Sequence, residues 1–588
     1  MTTMRERLGL DTSEGEVQGD QVMNGQQWLA ETIRRSGIKG FFFMPTFLYP
    51  TMVELADEGI KRVLGHSEKA MAYMADGCAQ ASGRPGLVIT QGGPGACNLL
   101  SGFGDAWQSG TPIIGLTTYI PTARYRGNSY QEVYVDFSTV TKYDAEVRDL
   151  SRLPDLLGEA YREVTTGATR PAHLYVEGSI ETVQMDFADK DFLDERYFTY
   201  PAFRPRADDE DVAQAVEELR AAERPIIVCG RGAIISGAWD EVTMLAERLQ
   251  IPVTCSLGGK GSIDEHHPLS LGVEGSYRRS STMDMLEEAD VALFVGSHAG
   301  GATTLLGTIP PPTTRIIHID IDPAQPGKNM PNTLPLFGDA KVVLGQMVDA
   351  AGAEDAGANQ EWIKRCQESR EAWWQEHEAE VTSDQTPIRP ERLAVEVAKA
   401  LPDDAIVCAD TGYAAAWSGA YMDLPAGKNY LACEGTLGWA FPAAIGAKVG
   451  APDRPAVAWC GDGGFMYHMA EVETAVRNDI NAIAIVLNNH ALVFDTHLLQ
   501  AFWSASHDVD LLSEFKETNF AKITEELGGN GIRVTDPAKI GDAVDQALHN
   551  DKLTVIDVVV DHAAVAPVAF MAGQGSRGGI LSDPDKMK

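Results

Sequence analysis

Positive charge is what this sequence has least of. Its 588 residues hold 48 Lys and Arg against 84 Asp and Glu, a formal net charge of −36. The acidic residues are dispersed rather than gathered in a tail. A surface of this sign repels phosphate backbones and anionic lipid, which argues against a nucleic-acid or anionic-membrane role. Cysteine is also sparse. The eight cysteines form no CxxC pair, and Cys229, Cys408 and Cys460 sit in apolar runs. They read as buried free thiols in a reducing compartment rather than as a disulfide framework, so the expected location is cytoplasmic. No run of about eighteen apolar residues exists, so no membrane span is expected. The first twenty residues lack an apolar core, so no secretory leader is expected. What remains is ordinary: 44% of residues are hydrophobic, as in a globular protein. The length predicts about three domains.

Residues 461–489 read GDGGFMYHMAEVETAVRNDINAIAIVLNN. Residues 456–460 and 482–487 read as buried strands, with Met469, Val472 and Val476 at roughly helical spacing between them. Such a strand–turn–helix–strand unit joins parallel neighbours through a right-handed crossover. It places Asp462 and Asn489 at the carboxyl ends of adjacent strands, where open α/β sheets bind ligands. Gly461, Gly463 and Gly464 let backbone N–H groups approach phosphate oxygens at a helix start. Asp462 and Asn489 supply hard oxygen ligands of the kind Mg²⁺ prefers. An Asp-Gly turn or an Asn pair alone is common turn chemistry. Together, bracketing a whole βαβ unit, they point to a metal–diphosphate site.

The rest of the chain reads as α/β, with three doubly wound parallel-sheet domains. Residues 1–20 form a polar N-terminal extension. The first domain spans 21–185, with a strand at 41–44 and another leading to Glu68, where a helix over 69–81 begins. A strand at 87–90, the turn Gln91-Gly92-Gly93-Pro94-Gly95, a helix through Trp107 and a strand at 113–116 follow. Residues 186–205 read as a linker, 205–350 as a second domain, and 350–388 as a helical or loose connector. The third domain spans 389–565, and 566–588 form a flexible tail. The first and third domains are candidates for one fold used twice.

Five segments in order carry a family resemblance. His66-Ser67-Glu68 with Met74-Ala75-Asp76-Gly77 resembles an HEQ…MADG helix, and Gly92-Gly93-Pro94-Gly95-Ala96-Cys97-Asn98 an SGPGATN turn. Tyr130-Gln131-Glu132 resembles FQE, residues 434–446 a GLG…PAAIG segment, and 461–489 the GDG…NN motif. From about residue 22 to 565 the chain resembles the three-domain thiamine diphosphate (ThDP) enzymes, in pyrimidine-binding, central, diphosphate-binding order. It is most similar to the acetolactate synthase-like group, which also holds 2-oxo-acid decarboxylases, carboligases and 2-hydroxyacyl-CoA lyases.

The resemblance implies roles for individual residues. Glu68 stands where the family hydrogen-bonds N1′ of the aminopyrimidine to promote loss of the thiazolium C2 proton. Taken alone, Glu68 is also an ordinary dipole-favoured helix start. Leu437, beside Gly435, stands where an apolar side chain supports the bent cofactor; a plain core Leu is the other reading. Thr411, Gly412 and Tyr413 match the loop that touches the diphosphate, although the family's Gln-His is replaced here by Tyr413-Ala414. The Ala491 carbonyl joins Asp462 and Asn489 as metal ligands. Val493 and Phe494 contact the pyrimidine. Gln131 faces thiazolium and substrate, with Arg124 and Arg126 as candidate partners for a substrate carboxylate. His490 is a candidate acid/base. His497, Gln500 and Trp503 lie on the segment that sets substrate size in relatives.

Acetolactate synthases usually bind FAD in the central domain. Here the family's RFDDR segment is replaced by Ser297-His298-Ala299-Gly300-Gly301, which lacks the guanidinium that holds the flavin. Gly230-Arg231-Gly232 alone is weak support for a dinucleotide, so the sequence argues against FAD rather than for it. The expected reaction is cleavage of a 2-oxo acid or similar acyl donor and transfer of the C2-bound carbanion to an acceptor. Simple decarboxylation, a 2-hydroxyacyl-CoA or oxalyl-CoA lyase, and a non-catalytic ThDP-binding protein are the alternatives. Relatives build each site between two subunits, which implies a homo-oligomer, a dimer of dimers by expectation.

Overall fold

The computed structural model describes residues 23–45, 47–56, 58–119, 133–177, 191–352, 359–503 and 509–568. They form three parallel six-stranded sheets flanked by helices, the three α/β domains expected from the alternation. The first sheet holds β1 (Gly40–Phe43), β2 (Lys61–Leu64), β3 (Gly86–Thr90), β4 (Ile113–Tyr119), β5 (Tyr143–Val147) and β6 (Ala172–Glu177). Its order is β2-β1-β3-β4-β6-β5. The second holds β7 (Pro225–Cys229), β8 (Val253–Cys255), β9 (Ser270–Val273), β10 (Val291–Val295), β11 (Arg315–Asp320) and β12 (Thr333–Phe337). Its order, β12-β11-β10-β7-β8-β9, is that of dinucleotide-type sheets. The third holds β13 (Ile406–Ala409), β14 (Tyr430–Ala432), β15 (Ala456–Gly461), β16 (Ile483–Asn488), β17 (Asn530–Val534) and β18 (Thr554–Val559). Its order is β14-β13-β15-β16-β18-β17, so strand for strand it repeats the first sheet.

The inner strands read as unbroken apolar runs because helices cover both faces. β3, β10 and β13 are buried along their whole length. The connector after the second domain is helical, Gln360–Glu376 and Glu378–Val381, and Trp362 Nε1 ties it to Pro225 O at 2.9 Å. Among the described residues no helix is long and apolar enough to cross a membrane.

Two equivalent helices join the first and third domains. Glu68–Ser82 follows the second strand of its sheet, and Ala440–Gly450 follows the second strand of its own. The first is rich in Ala and Met, has no β-branched residue, and stops at Gly83 in the left-handed region. The two helices cross at glycines. A Cβ on Gly77 would lie 2.1 Å from Ala443 O, and one on Gly446 would lie 1.8 Å from Met74 O. Only a hydrogen fits at either point. Trp439 Nε1 donates to Asp76 Oδ2 across the same contact at 2.8 Å.

Between β15 and β16 the sequence suggests one helix, but the chain forms two, Asp462–His468 and Glu471–Arg477. Met469 and Ala470 between them have ψ of −21° and −24°, the tighter turn of a 3₁₀ segment. The second helix faces the first domain, where Glu471, Glu473 and Arg477 bond to residues 64–66.

Candidate active site

The third sheet reverses strand order between β13 and β15, the switch point at which open α/β sheets bind ligands. A carboxylate follows each of these strands. Asp462 is 2% exposed. Its Oδ1 accepts from Gly463 N at 2.7 Å, and its Oδ2 from Asn489 N at 3.1 Å and His490 N at 2.6 Å. Burial outweighs these bonds and pushes its pKa up to about 6. No cationic side chain pairs with it among the described residues. Asp410 accepts from Thr411, Gly438 and Ala440 N–H groups, and burial likewise raises it to about 6.

The room at these strand ends lies beside glycines. Gly412, Gly435 and Gly461 border open space: a Cβ on any of them would meet nothing within 4 Å. Gly412 and Gly435 also hold φ of 70° and 111°, which side chains resist. Gly463 and Gly464 sit where no side chain fits. A Cβ on Gly463 would press on Leu492 at 2.6 Å and Phe515 at 3.2 Å, and one on Gly464 on Asp410 Oδ2 at 3.0 Å. Close packing requires a glycine at both positions, and Gly463 N–H donates to Asp462 Oδ1. Leu437 is half-buried and belongs to none of the apolar cores among the described residues.

The Asn pair divides its work. Asn488 is fully buried and anchors the loop through Nδ2 to Asp557 Oδ1 at 2.8 Å and Thr518 O at 2.9 Å. Asn489 is half-buried at the site, and its Oδ1 accepts from Ala491 N at 3.2 Å. His490 takes φ of 62°, and its Nδ1 is buried without a hydrogen-bond partner. Residues 513–515 pair with this loop, through Leu492 N to Ser513 O at 2.7 Å and Phe515 N to His490 O at 2.6 Å. The donor set of one carboxylate, one amide and the Ala491 carbonyl is all hard oxygen. It fits Mg²⁺ and not a His/Cys metal, and no cluster of three or more His, Cys, Asp or Glu suited to a metal occurs among the described residues.

Tyr413 opens the Tyr413–Tyr421 helix and is buried. Its hydroxyl meets His497 Nδ1 at 3.0 Å, and its ring meets Phe494 edge-on with centroids 5.4 Å apart. His497 and Phe494 lie on the Val493–Trp503 helix with buried Val493, while Gln500 is exposed. Tyr413 is therefore committed to that helix as well as to the loop.

Glu68 is 9% exposed at the start of its helix. Asn98 Nδ2 donates to its Oε2 at 3.0 Å. No hydrogen bond joins Glu68 to Asp462 or Asn489 among the described residues. Gln131, Arg124, Arg126, the 1–20 extension, the Trp503 side chain and residues 569–588 lie outside the described residues.

A cavity of 460 Å³ lies where the three domains meet, lined by Arg170 of the first, Arg231, Glu274 and Asp320 of the second and Thr411 and Glu434 of the third, among others. Gly230 N donates to Val295 O at 2.9 Å and Gly232 N to Gly296 O at 2.8 Å, so the glycine turn is bonded to β10 and its following loop. Glu274 is 2% exposed, and neither of its carboxyl oxygens has a hydrogen-bond partner.

Comparison with known proteins follows the same three parts. Residues 23–140 match the N-terminal TPP-binding domain of thiamine pyrophosphate enzymes, 212–347 the central domain and 410–558 the C-terminal TPP-binding domain. A protein of Methanocaldococcus jannaschii named a probable acetolactate synthase large subunit is 29% identical over 570 residues, covering 94% of each chain. A Methanococcus aeolicus protein of the same name is 28% identical over 565 residues, covering 92% of each. The acetolactate synthase large subunit of Haemophilus influenzae is 27% identical, covering 96% of this chain and 99% of its own. Sheet by sheet and nearly end to end, the chain belongs to the thiamine pyrophosphate enzymes, as an acetolactate synthase-like, ThDP-dependent enzyme that forms or cleaves carbon–carbon bonds.

Proposed function

We propose that this enzyme uses ThDP and Mg²⁺ to cleave a 2-oxo acid, or a similar acyl donor, and joins the retained fragment to an acceptor carbonyl, as acetolactate synthases do. The observation that carries the cofactor half of this reading is Asp462, a buried carboxylate without a cationic partner among the described residues, at a switch point bordered by three open glycines. The names of the relatives, which align over nearly their whole lengths, support the reaction.

When bound, ThDP supplies a carbon acid whose conjugate base adds to carbonyls and holds the charge left by the broken bond. The protein's own residues do the rest. Asp462, Asn489 and the Ala491 carbonyl would hold Mg²⁺. Gly412, Gly435 and Gly461 leave room for a diphosphate, and Leu437 offers a half-buried apolar surface beside it. Glu68, with Oε2 held by Asn98, would hold a proton at N1′ through Oε1. Gln131 and His490 would face the substrate. The cavity presents Glu274, Asp320 and Glu434 against Arg170 and Arg231, and the N–H groups of Gly230 and Gly232 are already bonded, which supports a reading without FAD. A yellow purified protein overturns that part.

Each site would form between subunits. Glu68 has no bond to its own chain's Asp462, and Met466 and Tyr467 beside Asp462 are 39% and 59% exposed. The expected assembly is at least a dimer, and a dimer of dimers on this reading. An active, monodisperse monomer in light scattering contradicts it. The reaction is tested by mass-spectrometric product analysis on a panel of 2-oxo acids and 2-hydroxyacyl-CoAs with ThDP and Mg²⁺. Ligated products support the proposal. Aldehyde alone, or acyl-CoA cleavage alone, replaces it with a decarboxylase or a lyase.

A further inference from the structure

The Glu68–Ser82 helix has a capping problem. Its N-cap, Ser67, is extended and makes no side-chain cap bond. The first N–H groups of a helix have no intrahelical partner and need an acceptor, preferably an anionic one. For the N-cap N–H of Ser67, and for His66 just ahead of it, the acceptor comes from the third domain, some four hundred residues along the chain. Glu471 is 1% exposed, and its two oxygens accept from His66 N at 3.1 and 3.2 Å. Ser67 N–H also bonds to this carboxylate. Thr474 Oγ1 donates to its Oε2 at 2.7 Å and fixes the rotamer. Gly65 completes the fit: a Cβ there would sit 2.6 Å from Met71 and 3.4 Å from Glu471 Oε2.

We propose that Glu471 is a positioning residue for Glu68: a cap supplied by the third domain that fixes where the Glu68 carboxylate points. The inference rests on the assignment of Glu68 to N1′ under Proposed function. Glu68 is the first helical residue after the capped pair, so its Cα moves with that turn. Asn98 fixes one oxygen at 3.0 Å, but it cannot hold the backbone that carries the side chain. Misplacing a catalytic group by about 1 Å can cost on the order of a hundredfold. Glu471 itself opens the helix that directly follows the Asp462 helix, so one run of chain carries the metal carboxylate and the cap.

The seam holds other bonds that serve as controls. Arg477 Nη2 donates to Leu64 O at 2.7 Å from the same helix; its link to His66 runs only through Glu473 and the His66 ring, not through the backbone that Glu471 holds. If the seam is only domain glue, removing Arg477 matters as much as removing Glu471.

The test compares Glu471→Ala, Glu471→Gln, Arg477→Ala and Glu68→Gln. Backbone amide hydrogen exchange is read on the cofactor-free protein. Deuterium exchange at C2 of ThDP is read by rapid quench on the loaded one. Glu471→Ala is expected to speed amide exchange at residues 66–71 about tenfold or more and to slow C2 exchange at least about tenfold, the size of a lost charge-assisted bond. Glu471→Gln keeps one acceptor and should fall between Ala and wild type, which decides the matter if the Ala variant does not fold. Arg477→Ala should leave C2 exchange within about twofold. If Glu68→Gln abolishes C2 exchange while both Glu471 variants keep the wild-type rate, Glu471 is not a positioning residue. The same holds if Arg477→Ala slows exchange as much as Glu471→Ala. If Glu68→Gln itself keeps the wild-type rate, it is the assignment of Glu68 that fails.

Discussion

The first and third domains have the same strand order and opposite chemistry at their strand ends. In the third, the first and third strands end in buried acids, Asp410 and Asp462, and the second leads into a loop containing Gly435 and Leu437. In the first, the corresponding strands β1 and β3 end in Met44 and Gln91, and the acid, Glu68, follows the second strand. One fold thus presents either two buried carboxylates beside open glycines at its switch point or a single carboxylate at its edge. The lesson is that topology fixes where groups can be presented, and the residue at each strand end decides what is presented.

The comparison makes separable predictions. The largest concerns the two carboxylates. Glu68→Gln should lower kcat by about a hundredfold or more while ThDP binding changes little, because it removes only a proton acceptor. Asp462→Ala should instead abolish ThDP and Mg²⁺ binding in calorimetry. If both variants fail in the same parameter, the division of labour between the domains is wrong. A smaller effect follows from pH. Asp410 and Asp462 titrate near 6 in the folded protein, raised by burial, against about 3.9 when unfolded. The cofactor-free native state therefore binds more protons between about pH 4 and 6, and its stability falls as pH rises through that window. Cation binding needs the ionised form, so Mg²⁺ affinity should drop about tenfold per pH unit below 6. The gain in thermal midpoint from ThDP and Mg²⁺ should be small near pH 5 and full above pH 7. An equal gain at both values would count against Asp462 as the ligand.

The helix crossing gives a symmetric test. Gly446→Ala and Gly77→Ala should each cost about 1–3 kcal/mol in urea unfolding, since the new methyl meets a backbone carbonyl that cannot step aside. A large loss in one and none in the other would show that the two helices are not equivalent. The smallest effect is its converse. Gly345, inside the Ala340–Ala351 helix, has open space where its Cβ would be. Gly345→Ala should stabilise by about 0.5–1 kcal/mol.

Much of this was legible in the sequence, for identifiable reasons. The strands showed as apolar runs because both faces are covered, and Asp462 and Asn489 stood out because one βαβ unit sets both at strand ends. Strand order did not show, because it depends on contacts between distant segments. Asp410 stood in plain view ahead of Thr411; its signal was the one used for Asp462, an acid directly after a buried strand. Gly463 and Gly464 look like phosphate-binding glycines; that packing also requires them did not show, because it depends on residues elsewhere, here Leu492, Phe515 and Asp410. Asn98 shows in the sequence only as part of a motif. Glu471 looks like any first-turn glutamate, since its partner lies in another domain.

The glycine crossing also bears on how the protein is made. Along the Glu68–Ser82 helix, Ala70, Met71, Ala72, Tyr73, Met74 and Ala75 are 0% exposed in the finished molecule. The helix that meets it, Ala440–Gly450, emerges from the ribosome roughly 370 residues later. At roughly 5–20 residues per second, that leaves an apolar helix face waiting on the order of 20 to 70 s. During synthesis the first domain is an incomplete object with one bare flank, a natural client for a chaperone. Truncated chains that end before residue 440 should aggregate while the full-length chain does not.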